Sequence, residues 1–118
     1  MIKPVVLENI LSGGWKDLPF QPFKEGVEIY SIIEGEPALA LLRYAPGATV
    51  QRHKHPDLET ICVLEGSQSD DNGTYVAGTM IANPKGSSHR VWSTDGCIVL
   101  IQWTKPVQFI SEDEGQKN

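Results

Sequence analysis

Residues 47–66, "GATVQRHKHPDLETICVLEG", place His53, His55 and Glu59 at even separations. On an extended chain, side chains repeat every two residues, so even spacing sends all three to one face. Ile61 and Val63 continue that parity, as the interior wall of a sheet would, while Cys62 is out of phase and faces away. The chain has three histidines, and the third, His89, opens another candidate strand, "HRVWS". Two strands brought together by a barrel would gather three imidazoles and a carboxylate around one point. Such a donor set suits a divalent transition metal and leaves positions open for substrate when the metal is five- or six-coordinate. An exposed polar turn that happens to carry histidines is the competing reading of "HKHPDLE" alone.

The rest of the chain reads as all-β. Its 118 residues predict one domain, large enough to bury roughly two thirds of its unfolded surface. Eleven glycines and eight prolines separate short alternating apolar runs. "GVEIYSIIEGEPALALLRY" predicts two strands around a Glu-Gly-Glu turn. "ETICVLEG" predicts a strand that stops at Gly66. Asn72-Gly73 predicts a type I′ hairpin turn, and "GCIVLIQWT" a strand buried on both faces. "ENILSGGWKDLPF" holds a helical turn at most. An N-terminal arm, 1–26, starts irregularly and is expected to pack over one end of a barrel, with Trp15, Phe20 and Phe23 covering core. Trp92 and Trp103 also read as core. The barrel is expected over 27–110, and the apolar-free tail 111–118 is expected to be disordered.

Composition excludes several classes. Fifteen acidic against ten basic side chains give a formal charge of −5, which argues against a nucleic-acid partner. No apolar run approaches a membrane span, and the start has no signal-peptide core, so a soluble cytoplasmic protein is expected. Cys62 and Cys97 sit in apolar runs without a Cys-x-x-Cys motif and read as reduced, buried thiols.

The glycines carry a specific resemblance. Gly47, five residues, His53-x-His55, three residues, Glu59, six residues and Gly66 match every fixed position of the first cupin motif. Gly78, five residues, Pro84-x-Gly86, two residues and His89 match the second motif, whose closing Asn is Ser93 here. "LLRYAPGATVQRHKH", "VLEGSQSDDNGTYVAGTMIANPKGSSH" and "DGCIVLIQW" resemble the cupin domain of the anti-sigma factor ChrR and its stand-alone relatives, over about residues 27–104.

The resemblance implies a cupin double-stranded β-helix, a jelly-roll barrel. It implies one divalent metal, Fe2+ or Zn2+ first and Ni2+ or Mn2+ next, on His53, His55, Glu59 and His89. It implies dioxygenase chemistry on a small diketone or aryl ketone, with Glu59 as ligand or base. A non-catalytic sensor module of the ChrR type is the alternative, and an isomerase of small sugars or acids a weaker third. A homodimer is implied, with sheet edges and the arm as contacts. Arg43, Gln51 and Gln102 are candidate substrate contacts: Arg43 as a cation on the preceding strand, Gln51 by parity with His53, and Gln102 as the polar residue of an apolar strand.

Overall fold

The alternating runs become ten strands in the computed structural model, which describes residues 1–111; beyond Ser111 the expected tail lies outside the described residues. A 3-10 turn, Ile10–Ser12, precedes β1 (Gln21–Lys24), β2 (Val27–Ile33), β3 (Ala38–Tyr44), β4 (Thr49–Lys54) and β5 (Glu59–Asp70). Then come β6 (Gly73–Val76), β7 (Met80–Asn83), β8 (Ser88–Trp92), β9 (Cys97–Trp103) and β10 (Gln108–Phe109). Every pairing is antiparallel, and the hydrogen-bonded path runs β1-β2-β3-β9-β5-β8-β4-β10, with β6 and β7 also on β5. Among the described residues, no helix is long and apolar enough to cross a membrane.

β5 belongs to both sheets. Its first part pairs with β7 and β9, and residues 67–70 turn away to pair with β6 and β8. The strand therefore does not stop at Gly66, as the sequence predicts, but bends there. Gly66 has φ 76°, and a Cβ on it would lie 2.1 Å from the Gly96 carbonyl oxygen. Only glycine permits that close approach with a left-handed backbone. A β-bulge between Val63 and Glu65 accompanies the bend. Bulges add one residue to a strand and so reverse which parity faces the core. Glu59, Ile61 and Val63 are buried before it, and Gln68 and Asp70 after it.

Two apolar clusters form. The inner one fills the barrel with Val27, Leu42, Ile61, Val63, Val99 and Ile101, among others. The outer one places Trp15 and Leu18 of the arm against Leu41, Leu64 and Ile98. Residues 7–20 of the arm thus cover the outer face of a sheet, while Phe23 and Lys24 near its end line the cavity inside the barrel. That face of β3 and β9 is apolar and would otherwise be left in water. Cys97 lies in the inner cluster and Cys62 against the outer one, both as free thiols. Burial pushes the Cys97 thiol up to about 11, which keeps it protonated and inert.

The 70–73 hairpin forms without the expected type I′ turn. Asp70 pairs with Gly73, leaving Asp71 and Asn72 as the loop, and neither has positive φ. Asp70 Oδ1 accepts the Asn72 amide at 2.8 Å, so a side chain holds the turn instead.

Candidate metal centre

His53 lies one residue before the end of β4, Glu59 begins β5, and His89 lies on β8, directly paired with His53. His55 follows β4, and its amide donates to the Ser87 carbonyl at 2.8 Å. The four side chains are 5%, 1%, 3% and 2% exposed for His53, His55, Glu59 and His89, and their candidate ligand atoms all lie within 4.8 Å of one another. The four side chains gather at one point, but from β4, β5, β8 and the connection between β4 and β5, rather than from one face of a single extended strand.

The protons on the three rings are fixed by their outer partners. His53 Nδ1 is 2.9 Å from the Gln51 carbonyl oxygen, which can only accept. His89 Nδ1 is 3.1 Å from Asp70 Oδ2, a carboxylate oxygen. His55 Nδ1 is 2.9 Å from Ser87 Oγ, whose single proton is donated to the Pro84 carbonyl at 2.6 Å. Each Nδ1 therefore donates, and in the neutral rings each Nε2 keeps a bare lone pair aimed at the others.

Left alone, that arrangement is unfavourable. His53 Nε2 and His89 Nε2 are 3.0 Å apart. His55 Nε2 is buried without a hydrogen-bond partner, although Glu59 Oε1 lies 3.2 Å away. Orphaned buried acceptors are rare and expensive. A cation at the centre satisfies all of them, so the donor set fits a divalent transition metal. Burial lowers the pKa of His53 and favours its neutral, ligating form. Burial alone would raise the pKa of Glu59, but the close approach of His55 and the positive charge that the neighbouring imidazoles carry when protonated outweigh this and lower it. Asn83 Nδ2 also donates to Glu59 Oε1 at 3.0 Å.

His53, Glu59 and His89 open onto a cavity of about 320 Å³ inside the barrel, while His55 is absent from its lining and sits behind them. Its walls include Val27, Leu42, Ile61, Val91 and Ile101. Tyr44 and Gln68 add polar groups, and Tyr44 hydrogen-bonds Gln68. Burial drives the Tyr44 phenol far above its ordinary value, so it remains a hydroxyl.

The fold so described matches known proteins. The model of the family described as ChrR Cupin-like domain matches residues 12–107. The chain belongs to that family. Its cupin barrel superposes on the crystal structure of an acetylacetone dioxygenase from Acinetobacter johnsonii, with a TM-score of 0.77 and 16% identity, over 83% of this chain and 76% of that one. It superposes on Rhodobacter sphaeroides SigE in complex with the anti-sigma ChrR, with a TM-score of 0.69 and 25% identity. That match covers 75% of this cupin but half (50%) of the other chain. The polyketide cyclase RemF from Streptomyces resistomycificus gives a TM-score of 0.69 at 21% identity, over 97% and 90% of the two chains. No curated protein matches the sequence.

The three candidate substrate contacts lie elsewhere. Arg43 shares its parity with Leu41 of the outer cluster, while Leu42 and Tyr44 face the cavity. Its guanidinium pairs with Glu28 at 2.9 Å and stacks 4.1 Å from the Phe20 ring centroid. Gln51 is exposed and donates to the Ile110 carbonyl at 3.1 Å. A bulge between Val50 and His53 breaks its parity with the histidines: Val50 and His53 line the cavity, and Gln51 turns out. Gln102 lies between the cavity-lining Ile101 and Trp103 and bonds Thr60 and Thr104 on the other face. Phe23 and Trp103, expected as core, both line the cavity with their rings 6.1 Å apart, and Trp103 also packs against the inner cluster.

Sequence reasoning missed Asp70, Ser87 and Asn83, which orient the candidate ligands. Asp70 was legible only as a turn residue. Its signal is indirect: a ligating histidine needs a partner for its other nitrogen, and the strand pairing that brings Asp70 to His89 depends on the bend at Gly66.

Proposed function

We propose that this cupin domain is a mononuclear metal-dependent oxygenase or dioxygenase, with Fe2+ or Zn2+ the first candidate metals, acting on a small diketone-like or aryl ketone substrate. The observation that carries the reading is the cluster of three imidazoles and one carboxylate, of which His53, His89 and Glu59 face an apolar cavity. His53, His55, His89 and Glu59 would hold the metal, which when bound supplies Lewis-acid polarisation of substrate oxygens and, as iron, reactivity toward dioxygen. The protein's own groups do the rest. Val27, Leu42, Ile61, Val91 and Ile101 exclude water from the substrate carbon. If Glu59 serves as base rather than ligand when substrate enters, its carboxylate would take the acidic proton of a diketone. Tyr44 and Gln68 offer hydrogen bonds to a second substrate oxygen. The acetylacetone dioxygenase fold match supports this chemistry. The same reading makes the protein a cytoplasmic homodimer; the exposed Ile2, Val5, Val6 and Leu11 of the arm support the dimer part of it.

The deciding experiment is to purify the protein without a histidine tag, measure bound metal by mass spectrometry, and reconstitute it anaerobically with Fe2+. Oxygen uptake is then followed over a panel of β-diketones and phenolic ketones. Uptake that depends on both metal and substrate is expected; its absence with every metal sinks the oxygenase reading. Stoichiometric zinc without turnover would favour a sensor module, which the match to the ChrR complex supports.

Asp70→Asn tests the support of the site. Asp70 accepts from His89 Nδ1, the Asn72 amide and Tyr75 Oη. An asparagine that keeps the turn must present its NH2 to His89, forcing the ring proton onto Nε2. Metal affinity is expected to fall about 10- to 100-fold, read by competition with a chelating dye. Unchanged affinity would show that Asp70 does not set the tautomer.

A further inference from the structure

The sheet does not close. Its path ends at β1 on one side and β10 on the other, and these two strands share no backbone pairing. Residues on both sides of this gap, Phe23 and Lys24 on β1 and Phe109 on β10, line the cavity, and we take the gap as its mouth. Lys24 of β1 holds Nζ 4.1 Å from the ring centroid of Phe109 on β10 and 5.3 Å from that of its neighbour Phe23. Trp103 completes an aromatic rim, and Phe109 reaches inward to within 5.8 Å of the His53 ring centroid. One contact chain thus leads from the mouth to the centre.

Lys24 is the one cationic side chain among the described residues that line this cavity. No described carboxylate pairs with it, in a chain whose acidic groups outnumber its basic ones by fifteen to ten. Lys24 also borders an outer groove together with Glu25, Thr49 and Gln51, but Glu25 does not line the cavity and forms no ion pair with Lys24. Glu59 is the cavity's one carboxylate among the described residues, and a divalent cation beside it would leave that end positive as well. A ring face holds an ammonium more weakly than a carboxylate does through charge-assisted hydrogen bonds. An incoming anion can therefore take Lys24 from Phe109.

We propose that the cavity selects an anionic ligand and that Lys24 reads its charge. An aromatic or branched apolar body fills the barrel, and a carboxylate-type group stays at the mouth against Lys24 Nζ. This rests on the reading of the cavity as the substrate site, but not on the identity of the metal or on turnover. Lys24 is then a specificity-determining residue for the substrate class.

The test is calorimetric binding of 4-tert-butylbenzoate and its neutral methyl ester to the full chain, as purified and after chelation, with metal content measured on the same samples. Wild type is expected to prefer the carboxylate at least five-fold, and the preference should shrink in 1 M salt, where charges are screened. Lys24→Met should abolish the preference while leaving ester affinity unchanged, and Lys24→Arg should keep it. Equal affinities in wild type, a preference that survives in Lys24→Met, or no binding of either probe at millimolar concentration each overturn the proposal. A carboxylate held by the metal rather than by Lys24 gives the second of these results. Failure of the metal reading appears separately, as absent metal with the Lys24 effect intact.

Discussion

Alanine in place of His89 is expected to yield a folded protein that no longer retains metal. The substitution removes one of the three Nε2 donors and leaves two imidazoles and Glu59, a set from which exchange to a chelator becomes easy. The rest of the protein should tolerate the change. Asp70 loses the His89 proton but keeps the Asn72 amide and the Tyr75 hydroxyl, so its carboxylate is not left bare. The 3.0 Å opposition of two ring nitrogens also disappears. Loss of binding and loss of fold are separated by measuring stability with and without metal. A ligand that binds the native state at a thousand times its Kd adds about 4 kcal/mol. Wild type should gain an increment of this order when metal is added, and His89→Ala less than about 1 kcal/mol at the same concentration. His53→Ala should behave alike. Stoichiometric metal surviving both substitutions would mean that the assigned site is wrong.

The second large effect is expected far from any donor atom. In Gly66→Ala the new methyl group would lie 2.1 Å from the Gly96 carbonyl oxygen and 3.0 Å from Cys97 Cα, both backbone atoms that cannot rotate aside. The residue must also keep φ 76°, a left-handed conformation that costs a non-glycine residue about 1–2 kcal/mol. Relief requires separating β5 from β9 at their Gly66–Cys97 pair. Together these should destabilise by more than about 3 kcal/mol, a large share of an ordinary domain's stability. Gly78→Ala is the control: φ is 91°, but nothing lies within 4 Å of its Cβ position. It should lose only the conformational part. Urea midpoints decide the matter, and equal losses in the two variants would refute the clash.

The sequence reveals the donors more readily than their surroundings. His53, His55 and Glu59 are legible because a motif with fixed glycines pins them, and His89 because a second motif does the same. Side-chain parity also works along 59–63, where β5 is regular: Ile61 and Val63 point in, Cys62 out. It fails at Gln51, since the extra residue between Val50 and His53 has no local signature in a polar stretch. Arg43 and Gln102 attract notice for their chemistry, yet the phase of Leu42 and of Ile101 decides where they point. Phe23 and Trp103 read as core because composition cannot distinguish an apolar interior from an apolar cavity wall. The Asp70 contact comes from residues nineteen positions apart, joined through a bend at one glycine.

The three imidazoles share a residue type but rest on three kinds of acceptor: a peptide carbonyl behind His53, a hydroxyl behind His55 and a carboxylate behind His89. A negatively charged partner draws on the ring proton most strongly and pushes electron density toward the opposite nitrogen. The centre is therefore electronically lopsided. His89 should be its strongest donor and His55 its weakest, so an ion held there would be drawn unequally by its three imidazoles.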